Sequence, residues 1–189
     1  ELDPRSLIVA NNHASMLLIA GRDAEAIEAC TPALEFAPDS DLCSWMIGLS
    51  HLMLGDRERA RPFFDRSAAM WGGGTAQQVA ALFDALDGRG DRKAFARRLV
   101  AFPERSWKDQ GSGNLIGDFE APVLLMLLGE PGLALDYVDR GSRGNWIDLA
   151  WGVLMPSLDP IRCEPRFVAA VDRLKIVDYR AARMCAKGD

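Results

Sequence analysis

The sequence repeats itself with a period of 34 residues, and this period strongly limits the folds open to it. Residues 21–26 (GRDAEA) are answered by residues 55–60 (GDRERA), and Ala14 lies 34 positions before Gly48. Small residues therefore recur where small residues stood before. A period of this length is typical of stacked supersecondary units, each of which needs a neighbour to bury its apolar face.

Each unit is predicted to form two helices. Gly21 ends the first helix, because glycine tolerates the left-handed conformation of a C-cap, and Asp23 caps the second, which Pro38 ends. Two apolar stripes follow the spacing of an amphipathic helix: Leu7, Ala10, Ala14, Leu17 and Leu18 in the first, and Ala26, Ile27, Cys30, Ala33 and Leu34 in the second. We expect Ala14 or Gly48 to face Ala26 or Ala60, so that the two helices can approach closely.

Beyond residue 72 the repeat is weaker, but the helical pattern continues. Residues 75–87 and 92–102 are predicted to form a third helix pair, and residues 118–128 and 130–139 a fourth. Further helices are predicted over 145–154 and 164–174, while 104–117 is expected to be a polar loop. No segment alternates apolar and polar residues over a sustained length, so the predicted fold class is all-α.

The second helix of each unit resembles that of the tetratricopeptide repeat (TPR), whose period is 34 residues and whose pattern is A-x3-F-x2-A-x4-P. The resemblance covers residues 7–72, about a third of the chain. It departs at Ala10, where the family has an aromatic residue, and at Trp45, which lies one position late. The matching positions are Ala26, Cys30, Ala33 and Pro38 in the first unit and Ala60, Phe64, Ser67 and Gly72 in the second. The resemblance implies a right-handed α-solenoid of TPR-like helix pairs with a C-terminal capping helix.

Three regions follow from this interpretation. Residues 1–72 would hold two TPR-like repeats, residues 73–141 two degenerate helix pairs, and residues 142–189 the C-terminal capping helices and tail. The first residues, ELDPRS, echo EFAPDS at 35–40, so we expect them to be the tail of an earlier repeat. Without the neighbour that such a repeat would provide, we expect the apolar face of the first helix, with Leu2 and Leu7, to be available for self-association.

Residues 158–182 resemble the closing segment of TPR arrays in bacterial multidomain regulators, which follows DNA-binding or nucleotide-cyclase domains. Lys175 and Arg180 depart from that pattern, where the family has glycine and tryptophan. The matching positions are Asp159, Pro160, Arg162, Pro165, Arg166, Phe167, Arg173, Leu174 and Tyr179. The resemblance implies that the chain is the C-terminal regulatory part of such a protein.

The TPR resemblance also implies a partner-binding surface, because first helices line the concave face of these arrays. Counted from Leu7, the positions directed to that face are Ile8, Asn11, Ser15, Leu18, Leu42, Trp45, Leu49 and Leu52. Trp45 either points into this groove as a binding anchor or fills the core between the helices. The TPR subgroup that grips C-terminal carboxylates uses groove cations, yet no lysine occurs before Lys93, so that activity is not predicted.

The residues of common catalytic sites occur here without the accompanying pattern. Residues 111–117 (GSGNLIG) lack the spacing and the Gly-Lys-Ser/Thr of a phosphate loop. His13 and His51 have no metal-ligand spacing, and carboxylates at i, i+3 such as Glu25 and Glu28 are typical of a solvated helix face. We therefore predict that the chain is not an enzyme and uses no cofactor or metal.

A basic cluster surrounds one predicted helix and comprises Arg89, Arg92, Lys93, Arg97 and Arg98. It is either a solvated face or a docking site for an acidic partner surface. The whole chain carries a formal net charge of -5 with a pI near 5.1, which weighs against nucleic-acid binding by this segment.

The length of the apolar runs and the spacing of the cysteines bear on membrane contact and on the compartment. The longest apolar run is too short to span a bilayer, so no membrane contact is predicted. The four cysteines form no C-x-x-C pair, and we expect them to be reduced, with Cys30 and Cys163 buried, rather than joined in a disulfide. The predicted location is cytoplasmic.

The predicted function is protein or peptide recognition within a larger signalling or transcriptional regulator. The alternative is a helical-repeat domain that senses a small molecule and controls an attached effector. A more distant alternative is a hydrolase, which would require His13 or His51 beside a carboxylate in a cleft.

Overall fold

The computed structural model of this protein describes residues 6–71, 74–101, 119–144, 146 and 148–185. These residues are helical with connecting turns, and no β-strand occurs among them. The all-α prediction is therefore confirmed. The described residues form two compact units: an N-terminal unit of 6–71 and 74–83, and a C-terminal unit of 84–101, 119–144, 146 and 148–185.

The N-terminal unit is built from helices whose boundaries repeat with the predicted period. Helix α1 spans Leu7–Ile19, α2 Asp23–Phe36, α3 Asp41–Met53, α4 Arg57–Trp71, and α5 begins at Thr75 and ends at Leu86 in the C-terminal unit. The starts of α1 and α3 lie 34 residues apart, as do those of α2 and α4. Helix α1 packs against α2, α2 against α3 and α3 against α4, and α1 also packs against α3.

The helix ends repeat in chemistry as well as in position. Ser6 and Ser40 cap α1 and α3, and each hydroxyl accepts a hydrogen bond from the backbone N–H three residues later. After these helices Gly21 and Gly55 have φ of 73° and 78°, a left-handed conformation that glycine adopts without a steric penalty. The same chemistry therefore ends the first helix of each repeat on both sides, and the sequence predicted the glycine end at Gly21.

Close approach of α3 and α4 depends on Gly48, as the repeat suggested, but the neighbouring residue differs. A Cβ atom at Gly48 would lie 2.9 Å from Cδ2 of Phe64. Ala60, the predicted neighbour, is fully buried one turn earlier on α4. The Phe64 ring thus occupies the space that a side chain at position 48 would need.

The C-terminal unit is organised around one central helix. Its helices are α6 (Arg92–Ala101), α7 (Ala121–Leu127), α8 (Pro131–Gly144), α9 (Leu149–Gly152), α10 (Pro165–Leu174) and α11 (Tyr179–Met184), with a 3₁₀ helix over Pro156–Ile161. Helix α8 packs against α6, α7, α9 and α10. The apolar face of α10 (Phe167, Ala170 and Val171) is buried, which agrees with its prediction as an amphipathic helix.

One turn of this unit repeats the chemistry of the N-terminal turns. Gly129 has φ of 70°, and the N–H of Glu130 donates to the carbonyl of Leu125, as Arg22 donates to Leu17. Ala134, five residues after the glycine, is fully buried. The α7–α8 pair therefore uses the same glycine turn and small packing residue as the N-terminal pairs.

Two predicted boundaries differ from the structure. The helix predicted over 145–154 is only Leu149–Gly152, and a Cβ atom at Gly152 would lie 2.6 Å from the carbonyl oxygen of Phe119, so backbone approaches it closely there. Helix α7 begins at Ala121, which places Pro122 in its first turn, where no amide donor is needed. The predicted loop at 104–117 and the first five residues, including Leu2, lie outside the described residues.

The prediction for the cysteines is wrong at the C-terminus. Cys163 and Cys185 form a disulfide, with 5.4 Å between their Cα atoms, and both residues are exposed rather than buried. Spacing missed this pair because α10 and α11 bring the two residues together only in three dimensions. Cys30 is buried as expected, and its thiol donates to the Sγ atom of Cys43 at 2.7 Å.

Candidate partner-binding surfaces

Four of the eight predicted groove residues reach or approach the surface of the N-terminal unit. Ile8 is 67% exposed and Leu42 is 41% exposed, while Asn11 and Ser15 are half-buried. Ile8, Asn11 and Ser15 lie on α1 and Leu42 lies on α3, two helices that contact each other. We call these four residues the N-terminal face.

The other four predicted residues lie in the core. Leu18, Leu49 and Leu52 are almost completely buried, and Trp45 is 6% exposed. The Trp45 ring meets the Phe64 ring edge-on, with 4.5 Å between their centroids. Of the two alternatives for Trp45, the structure thus shows the core position.

Asn11 gives the N-terminal face a polar group with unused bonding capacity. Its side-chain oxygen Oδ1 is buried, and no described residue donates a hydrogen bond to it. Its backbone carbonyl accepts from the hydroxyl of Ser15, which also lies 3.4 Å from Sδ of Met46 on α3. An unpaired buried carbonyl oxygen costs about 1–3 kcal/mol, so a donor supplied there would be stabilising.

The C-terminal sequence pattern has a structural explanation in this chain. The Arg162 side chain is completely buried; it donates to the carbonyls of Val153 and Met155 and pairs with Asp159 and Asp178. Burial of a guanidinium is costly unless its donors are satisfied, and the Nε, Nη1 and Nη2 atoms of Arg162 all have acceptors. The pattern residues Asp159 and Arg162 thus fix the 3₁₀ helix to the segment before α11.

Two side chains that could act as an acid or a base, His51 and Asp139, are engaged in structural contacts. The His51 ring stacks on Phe63 with centroids 5.8 Å apart, and burial lowers the pKa of its imidazole. Asp139 pairs with Arg143 and Arg173; burial alone would raise the pKa of its carboxyl, but the two guanidiniums hold it below its usual value. His13 is exposed on α1.

Helix α6 carries the predicted basic cluster on its exposed surface. Arg92, Lys93, Arg97 and Arg98 are all exposed, and none of them forms an ion pair with a carboxylate in the described part of the chain. Arg89, which precedes the helix, instead pairs with Asp84 and Asp87. We call Arg92, Lys93, Arg97 and Arg98 the α6 basic face.

Arg140 on α8 is a polar feature that sequence reasoning missed. Its Nε and Nη2 atoms are buried and have no hydrogen-bond partner among the described residues, and its guanidinium lies 5.6 Å from the centroid of the Trp146 ring. These two N–H groups form the fork that grips carboxylates and phosphates in a bidentate manner. No pattern marks it, because its isolation depends on neighbouring carboxylates being taken by other arginines.

Comparison with known proteins does not assign the chain to a family. No family model, curated protein or solved structure matches it. Within the described residues, no helix is both long and apolar enough to cross a membrane, and no three His, Cys, Asp or Glu side chains are grouped as metal ligands would be.

Proposed function

We propose that this chain is a protein- or peptide-recognition scaffold of TPR-like helix pairs, acting as the C-terminal regulatory part of a larger bacterial signalling or transcriptional regulator. Binding would occur on a preformed helical surface without chemistry. The place in a larger regulator rests on the sequence resemblance of residues 158–182.

The observation that carries the proposal is the composition of the N-terminal face. It offers two exposed aliphatic side chains, Ile8 and Leu42, and the half-buried Asn11, whose Oδ1 has no hydrogen-bond donor among the described residues. Apolar contacts supply binding energy, and the two aliphatic side chains provide them. The repeated helix boundaries support the arrangement, since helix pairs stacked in register leave one helix of each pair available for binding.

A peptide-display selection tests this proposal. Peptides selected on the wild-type chain should lose at least tenfold in affinity on an Ile8→Asp/Leu42→Asp variant, because a charge desolvates poorly in an apolar contact. A Phe36→Asp/Leu54→Asp variant is the control, since Phe36 and Leu54 are also exposed apolar residues of the N-terminal unit. The proposal fails if no peptide is enriched, or if the two variants lose the same affinity.

One observation favours the alternative of a small-molecule sensor. The buried Nε and Nη2 of Arg140 have no hydrogen-bond partner among the described residues, and a small carboxylate or phosphate that entered beside the Trp146 ring would satisfy both. Thermal unfolding in citrate or inorganic phosphate, against chloride at equal ionic strength, tests this. A Tm increase that Arg140→Lys abolishes would support the alternative, and no increase would remove it.

A further inference from the structure

We propose that the α6 basic face binds an acidic segment of a partner protein. This inference concerns other residues than the N-terminal face and does not depend on it. The occupant is a peptide in which glutamate or aspartate side chains follow one another closely. Helix α6 itself is held in the C-terminal unit through Phe95, Ala96 and Leu99, which are buried, so the cations project from an anchored helix.

No described carboxylate forms an ion pair with the positive charges of the α6 basic face. Six other arginines of the C-terminal unit pair with a carboxylate of that unit: Arg89, Arg143, Arg162, Arg166, Arg173 and Arg180. Helix α6 contains four cations and no carboxylate, and Arg98 lies over the Phe95 ring. Arg140 and Arg183 also lack a carboxylate partner among the described residues, but α6 is the described helix of this unit that carries the most such cations.

The positive charges of the α6 basic face reduce the stability of α6 itself. Arg92 and Lys93 occupy the first turn, where the helix dipole disfavours cations. The one carboxylate that the structure describes at this end is that of Asp91, which caps the helix by accepting from the N–H of Ala94. Lys93 and Arg97 are like charges at i, i+4, a spacing that destabilises a helix by a few tenths of a kcal/mol. Local rules are broken in this way where a surface serves a function, and an anionic occupant would relieve both effects.

The surface of α6 offers a ligand its positive charge and little else, which favours an acidic peptide. Helix α6 exposes no aromatic ring on which bases could stack, since Phe95 is buried, and the chain carries a net charge of -5. It also exposes no large apolar side chain that could enter a lipid surface. Charge complementarity alone remains, and an acidic peptide can satisfy it with a carboxylate for each cation.

Fluorescence anisotropy of a labelled deca-glutamate peptide tests the proposal with the whole chain. We expect saturable binding that weakens as ionic strength rises from about 0.05 to about 0.5 M, because exposed charge pairs are screened. A Lys93→Glu/Arg97→Glu variant should bind at least about tenfold more weakly, since each reversal removes an attraction and adds a repulsion. A Lys93→Arg/Arg97→Lys variant, which keeps both charges, should bind as the wild type does.

The matched control is Arg59→Glu/Arg66→Glu on α4, which changes the net charge of the chain by the same amount at two exposed positions. It should weaken binding less than about threefold, an effect of overall charge alone. Equal losses in the two reversed variants, or no binding to the wild type, would overturn the proposal. So would tighter binding of a labelled single-stranded RNA or of phosphatidylserine vesicles through the same two residues. Circular dichroism would show that both variants keep the wild-type helix content.

Discussion

Arg162 and Asp178 form an ion pair in which the arginine side chain is completely buried and the carboxylate side chain is 2% exposed. The same carboxylate accepts from the N–H groups of Arg180 and Ala181 and so caps α11. One aspartate therefore neutralises a buried guanidinium and begins the last helix. This pair joins the two ends of the segment that also contains α10.

Breaking this pair should destabilise the chain strongly. Arg162→Met leaves Asp178 buried without a countercharge and should lower the free energy of unfolding by about 3–5 kcal/mol, measured by urea denaturation. Arg166→Met is the matched control, because the Arg166–Asp136 pair is about half exposed on both sides and should contribute less than about 1 kcal/mol. Similar losses in both variants would contradict the assigned role of Arg162.

The Cys163–Cys185 disulfide can be tested by counting reactive thiols before and after reduction. The denatured, unreduced chain should show two reactive thiols, Cys30 and Cys43, and four after reduction. Reduction should also lower the stability by about 2–4 kcal/mol, since the bond restricts the unfolded chain. A Cys163→Ser/Cys185→Ser variant should show no response to reductant. Four thiols before reduction would show that the bond does not form.

Two glycine substitutions should act in opposite directions. Gly48→Ala places a methyl group against Phe64 and should cost about 1–3 kcal/mol in stability despite the better helix propensity of alanine. Gly132→Ala on α8 meets no atom within 4 Å and should stabilise by up to about 1 kcal/mol. The measurement is the urea midpoint at unchanged slope. Equal effects would mean that the α3–α4 contact is looser than described.

His51 should reduce stability as the solution becomes acidic. Burial lowers the pKa of its imidazole in the folded chain, so the unfolded chain binds the proton more readily. Stability contributed by neutral His51 is therefore full above the unfolded value of about 6.5 and decreases as the pH falls below it. An NMR titration of the His51 ring should give a midpoint below about 6.5. A midpoint at or above that value would contradict the burial argument.

Much of the N-terminal unit could be read from the sequence because local rules and packing agree there. The serine caps, the glycine C-caps and the buried alanines each have one physical reason to stand where they do. The candidate site was predicted less well. Leu18, Leu49 and Leu52 are apolar residues on the correct helices, but sequence spacing cannot tell an exposed position from one that neighbouring elements cover.

The sequence by itself determined the all-α class, the period of the N-terminal helices and the chemistry of their ends, because those features depend on residues a few positions apart. The tertiary structure alone decided which side chains are buried, that Trp45 packs against Phe64, and that Cys163 meets Cys185. It also decided which cations lack a hydrogen-bond or ion-pair partner among the described residues. Both Arg140 and the α6 basic face were identified by that lack. These outcomes depend on distances between residues far apart in the chain, and no local pattern specifies such distances.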